Sequence, residues 1–132
     1  MTFTEIRELV ASRLPSRYEN LELTFYGHES RPSGEHVVIG DDYGTDLVVR
    51  LTNGAVYSID PEERMPTRFM NSGIQQLAKF IEVSESFSDS PITDSQLLSK
   101  QMREALAQID PKAFDDPENW WAVVLEQMAC GL

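Results

Sequence analysis

The chain has 132 residues, enough to bury one hydrophobic core and the size of a single domain, 1–132. Its 22 acidic and 11 basic residues give a formal net charge of -11, which argues against direct binding to nucleic acid or to an anionic membrane, since both need Lys and Arg in excess. No apolar run approaches the roughly 20 residues of a membrane span, and the single cysteine, Cys130, excludes an internal disulfide framework.

The opening MTFTEIRELV lacks the basic and apolar regions of a secretory signal, so a cytoplasmic location is expected. Within it, Thr2 and Glu5 have the spacing of a capping box. Phe3, Ile6, Leu9, Val10 and Leu14 follow at helical period until Pro15 stops the segment. Leu21–Tyr26 reads as a short strand and Gly27–Gly34 as a turn-rich loop. Val37–Gly40 is β-branched and closes at the turn Asp41-Asp42-Tyr43-Gly44. In the next strand Leu47, Val49 and Leu51 share one face and Val48 and Arg50 the other. Asn53-Gly54 then predicts a tight hairpin turn with two positive φ angles, returning through Ala55–Ile59.

Asp60-Pro61 ends that strand, and Glu62–Thr67 is a polar loop. Ser72 and Gln75 predict a second capping box, opening a helix whose face is Ile74, Leu77, Ala78 and Ile81. Ser84–Pro91 reads as a polar connector. A third helix starts near Thr93 or Asp94 and ends at Asp110-Pro111. A fourth is predicted with Asp116 as its N-cap, Pro117 in its first position and Gly131 turning its end. The order is helix, strands, hairpin, helices. It predicts an α+β fold, a central mostly antiparallel or mixed sheet with strands in about 21–59, packed by N-terminal and C-terminal helices.

No set of residues in the sequence spells a known chemistry. His28, His36 and Cys130 lack metal-site spacing, and counting from Asp41 places Thr52 where a calcium loop needs Glu. Neither a nucleophile elbow nor a phosphate-binding glycine loop is present, and no cofactor is expected. Adjacent carboxylates at Glu62/Glu63 and Asp115/Asp116 read as solvated acids. Trp120 and Trp121 point about 100° apart on a helix. Trp121 falls on the apolar stripe, while Trp120 falls at its edge, where an interface anchor would sit.

From Val37 onward the chain resembles the SUKH superfamily (SMI1/KNR4-like proteins), and in particular the SUKH-4 type of bacterial immunity protein. The resemblance is carried by Ile39-Gly40-Asp41-Asp42 with Gly44, Leu47–Leu51 and Asn53-Gly54-Ala55-Val56-Tyr57. It continues through Phe69-Met70-Asn71-Ser72, Ile109-Asp110-Pro111, Ala113 and Trp120-Trp121. It departs from the family pattern at Gly73. The resemblance implies an immunity partner, not an enzyme, which binds and occludes a cognate toxin, a basic nuclease or nucleic-acid deaminase. It also admits an intracellular adaptor or regulatory scaffold. An acidic protein suits a basic partner electrostatically. The expected contacts are therefore the Asp41, Asp42 and Tyr43 turn, the Glu62 and Glu63 loop, the Asp115 and Asp116 turn, and Trp120.

Overall fold

The computed structural model describes residues 1–131. Helix α1 (Phe3–Arg13) begins as its sequence dictates. The Thr2 hydroxyl accepts from the Glu5 N–H at 3.1 Å, and the Glu5 carboxylate accepts from the Thr2 N–H at 3.3 Å. Seven strands follow: β1 (Arg17–Tyr18), β2 (Leu23–Phe25), β3 (Arg31–Ser33), β4 (His36–Asp41), β5 (Asp46–Arg50), β6 (Val56–Ile59) and β7 (Arg68–Asn71). Then come α2 (Ile74–Phe87), α3 (Ser95–Ile109) and α4 (Trp120–Ala129). The sheet order is β1-β2-β4-β5-β6-β7, with β3 alongside the first half of β4, and every pairing is antiparallel.

The architecture is the α+β arrangement expected, but the sheet reaches from residue 17 to residue 71 rather than 21 to 59. The added strands lack the alternation that marks a half-buried strand. Strand β1 has two residues, and β3 is Arg-Pro-Ser, exposed throughout, on the sheet's edge, where a proline is tolerated. Strand β7 buries Met70 and Asn71 but carries Arg68 at its start.

Local chemistry also differs from expectation in four places. The β5–β6 loop runs through Leu51–Gly54, with Arg50 N–H to Ala55 carbonyl (3.0 Å) and Gly54 N–H to Arg50 carbonyl (2.8 Å). Only Gly54 takes a positive φ, of 72°. Asn53 instead accepts the Ala55 N–H on its side chain at 2.9 Å, so an Asx turn replaces the tight two-residue turn. Helix α2 has Gly73 as N-cap with no side-chain cap, because the Ser72 hydroxyl is engaged by Asp110. The same helix continues through Ser84, read from sequence as connector, to Phe87, since both residues pack inward. Finally, α4 begins after Asn119, not Asp116. Asp116 closes the preceding turn, accepting the Glu118 N–H at 2.8 Å.

The helices cover one face of the sheet. Val37, Ile39, Leu47, Val49, Val56 and Met70 pack there against Ile6, Val10, Leu77, Leu106 and Leu125, all at most 1% exposed. Phe80 lies in the same layer, with its ring edge-on to Trp121 at 5.1 Å and stacked on Phe114 at 6.2 Å.

Through this apolar layer runs a chain of buried hydrogen bonds. The Trp121 indole N–H donates to the Asn71 side-chain oxygen (2.9 Å), and the Asn71 amide donates to Asp110 (3.2 Å). Asp110 also receives the Ser72 N–H (2.8 Å) and hydroxyl (2.7 Å). It joins α4, β7, the start of α2 and the end of α3. Asn71→Ala strands the indole donor and removes one donor from a buried carboxylate. It should lower unfolding free energy by about 2–4 kcal/mol, read from urea denaturation.

A second position is constrained by close backbone approach. Where β4 bulges at Ile39, Gly40 lies against β2, and a Cβ there would collide with the Thr24 carbonyl oxygen and stand 3.2 Å from the Phe25 Cα. Gly40→Ala should cost about 2–3 kcal/mol by forcing β2 away. The loss should appear in the same denaturation series, with early hydrogen exchange at the Tyr26 amide, which donates to the Ile39 carbonyl.

Candidate partner-binding surface

Asp41 and Asp42 are neighbours in sequence but serve opposite sides of the sheet. The Asp42 carboxylate turns toward α4. One oxygen accepts from the Gly44 N–H (3.1 Å), the Thr45 N–H (2.7 Å) and the Thr45 hydroxyl (2.9 Å). The other accepts from the Trp120 indole N–H at 2.9 Å. Four donors on one carboxylate make Asp42 a brace between the β4–β5 turn and α4. They also explain Trp120. From sequence this ring was either core or an interface anchor at the edge of the apolar stripe; it is core, 7% exposed, with its N–H spent on Asp42 and its ring 4.9 Å from that of Trp121.

Asp41 faces the other way. It accepts from the Tyr26 hydroxyl at 2.6 Å and from the Tyr43 N–H at 3.1 Å. Together with Asp46, Tyr26 and Tyr43 it lines an open cavity of about 300 Å³. Tyr43 is 84% exposed and held at a φ of 75°, a left-handed conformation that a tyrosine rarely adopts. Neither Tyr26 nor Asp46 was among the contacts expected from sequence: Tyr26 ends a strand read as structural, and Asp46 was weighed with Asp41 and Asp42 only as a calcium loop, whose pattern fails.

The Glu62/Glu63 loop is also built on a braced aspartate. Asp60, 5% exposed, accepts the N–H groups of Glu62 (2.9 Å), Arg64 (3.1 Å) and Met65 (3.1 Å). Glu63 takes a φ of 58° and projects freely, whereas Glu62 pairs with Arg64 at 2.8 Å. Asp115 and Asp116 are exposed in the turn before Glu118, whose carboxylate meets Arg68 at 3.0 Å. Three loops distant in sequence thus converge, because Asp42, Met65, Arg68 and Trp120 line one cavity of about 250 Å³. The Asp-Pro and Asp-Asp turns were visible in the sequence, but their meeting through Arg68 and Met65 was not.

Among the described residues, no three His, Cys, Asp or Glu side chains converge as metal ligands, and no helix is long and apolar enough to cross a membrane. His28 lies on the surface, 3.7 Å from Glu8, and Cys130 is exposed. What the surface carries is carboxylates fixed by backbone donors, beside the exposed ring of Tyr43, a combination suited to a cationic side chain.

The Tyr26 hydroxyl records this environment. Burial, then the hydrogen bond to Asp41 and the negative charges of Asp41 and Asp46, push its pKa up to about 12. The unfolded chain releases the proton near 10, so stability from this group is intact below pH 10 and falls as pH rises through 12. An absorbance titration of phenolate should show a step near pH 12 that Tyr26→Phe removes, and Asp41→Asn should move that step lower.

No curated protein and no solved structure matches the sequence significantly. A family model described as SUKH-4 immunity protein matches residues 9–127. That stretch runs from within α1 into α4, taking in the whole sheet, the braced turns and the buried Trp121–Asn71–Asp110 chain. The chain belongs to the SUKH-4 immunity protein family.

Proposed function

We propose that this protein protects a bacterial cell by binding a cognate toxin in the cytoplasm and covering its active or essential surface, with no chemistry of its own. The observation that carries this reading is the match to an immunity family in a chain of net charge -11. The acidic loops at 41–46, 62–63 and 115–118 support a basic partner, a nuclease or nucleic-acid deaminase whose own substrate is a polyanion. Tyr43 is the anchor in this reading, with Asp41 and Asp46 beside it at one cavity, and Glu63, Asp115 and Asp116 supply further acidic contacts from their own loops. Asp42 and Trp120 contribute by holding the turn that presents Tyr43.

The test is co-expression with the product of the neighbouring toxin gene, followed by affinity measurement across a salt series. The wild-type chain should rescue growth, and its association should slow as salt rises. Tyr43→Ala with Asp46→Lys should weaken binding tenfold or more while leaving the thermal midpoint near that of the wild type, since Tyr43 is 84% exposed and Asp46 lines an open cavity at the start of β5. Rescue with unchanged affinity in the double variant would place the contact elsewhere. Absence of binding to any neighbouring toxin would favour the adaptor role.

A further inference from the structure

The helices leave the other face of the sheet open. Register places Val38, Val48, Tyr57 and Phe69 side by side there, across β4, β5, β6 and β7. None of the four belongs to the core beneath the helices, although Val38 and Val48 are 3% and 1% exposed. They form a separate row, in which Tyr57 and Phe69 meet edge to face at 5.6 Å. A sheet face left to water ordinarily carries polar residues, so an apolar row through its middle calls for a cover.

Opposite charges flank that row. On one side Asp41 and Asp46 stand directly opposite each other on β4 and β5, and like charges so placed repel. Asp41 is answered by the Tyr26 hydroxyl and the Tyr43 N–H, whereas the Asp46 carboxylate has no such partner among the described residues. On the other side His36 and Arg50 are paired across the same two strands. Arg50 is exposed, with its guanidinium 4.0 Å from the centre of the Tyr57 ring. Stacking steadies the guanidinium and leaves its in-plane N–H donors free. Asp46 and Arg50 thus stand about 13 Å apart along β5, with Val48 midway. The other cations on this face, Arg17 and Arg31, lie on the outer strands and turn to Thr24 (2.8 Å) and to the Tyr26 ring (6.0 Å).

We infer that this face docks on a second copy of the chain, sheet against sheet, about a twofold axis that crosses the strands at the Val38–Val48–Tyr57–Phe69 row. Such an axis reverses strand direction, so each Arg50 meets the partner's Asp46 and each Val48 the partner's Val48. An axis parallel to the strands would set Asp46 against the partner's Asp46, and charge disfavours it. A uniformly basic partner laid over the whole row meets Arg50, and a polyanion meets Asp41 and Asp46. A face with both signs placed evenly about its apolar middle is complementary to itself. The net charge of -11 on each copy opposes the pairing at long range, and physiological salt screens it beyond about 8 Å. This inference goes beyond the toxin reading and shares only the Asp41–Asp46 end of the face with it.

Sedimentation equilibrium without any toxin, at about 0.15 M salt, tests it. The wild-type chain should form dimers as its concentration rises toward about 1 mM, since so small an interface is weak. Asp46→Arg and Arg50→Asp should each reduce association at least tenfold by setting like charges together. Mixed in equal amounts, the two variants should form a one-to-one dimer, because one then carries basic residues at both ends of β5 and the other acidic ones. Both substitutions in one chain should restore self-association. Asp46→Asn and Arg50→Gln serve if a charge reversal does not fold, each weakening the dimer severalfold. Leu97→Glu, on the exposed side of α3, should change nothing. A wild-type chain that stays monomeric at the highest concentration would overturn the inference. So would variants that fail to pair when mixed, or a dimer that ignores these charges and is lost with Leu97→Glu.

Discussion

The carboxylate of Asp110 is the constraint on which the rest of the structure depends. It is 3% exposed, and a charge so placed is tolerated only when donors surround it. Three do, all from the Asn71-Ser72 pair at the end of β7. Asn71 in turn fixes the indole of Trp121, the largest fully buried side chain. One acid at the close of α3 therefore sets where the sheet ends, where α2 starts and how α4 is rotated. Apolar packing alone permits several rotations of α4. Removing Asp110's donors would leave a buried charge uncompensated, so the arrangement is specified as well as stabilised.

That constraint explains which parts of the fold were legible in the sequence. The capping box of α1 is local and forms as read, and α3 starts where it was expected, near Thr93 or Asp94, with Asp94 as its N-cap. Ser72 has the same local signature but is claimed by a residue 38 positions away, so its cap is lost to a tertiary bond. Asp116 likewise caps a turn instead of a helix, and Asn53 satisfies its turn by a side-chain bond. Periodicity found the strands that bury one face and missed β1, β3 and β7, which are short, on an edge, or interrupted by a charge. For the surface, the sequence marked the acidic turns, while their convergence depends on Arg68 and Met65, unremarkable residues until the chain is folded.

The acids divide into two kinds that sequence cannot distinguish. Asp42, Asp60, Asp94 and Asp110 are consumed by donors of the chain itself. Their charges still add to the negative field of the molecule, but their oxygens are committed. Tyr43 and Glu63, by contrast, project from the braced turns, exposed to solvent. The Asp41-Asp42 pair shows the division most clearly, since one residue binds Tyr26 on one side of the sheet and the next binds Trp120 on the other.

Braced aspartates and strained neighbours belong together. Tyr43 and Glu63 each take a positive φ that their side chains disfavour, at a cost of order 1 kcal/mol apiece. Each follows an aspartate that ties down the surrounding N–H groups: Asp41 and Asp42 for the first, Asp60 for the second. Without those bonds either turn would relax, and the projecting side chain would sample many orientations. With them, the backbone that carries Tyr43 and Glu63 is held in place. The strain in the backbone is thus held by the bonds that these aspartates accept, and losing them would release it.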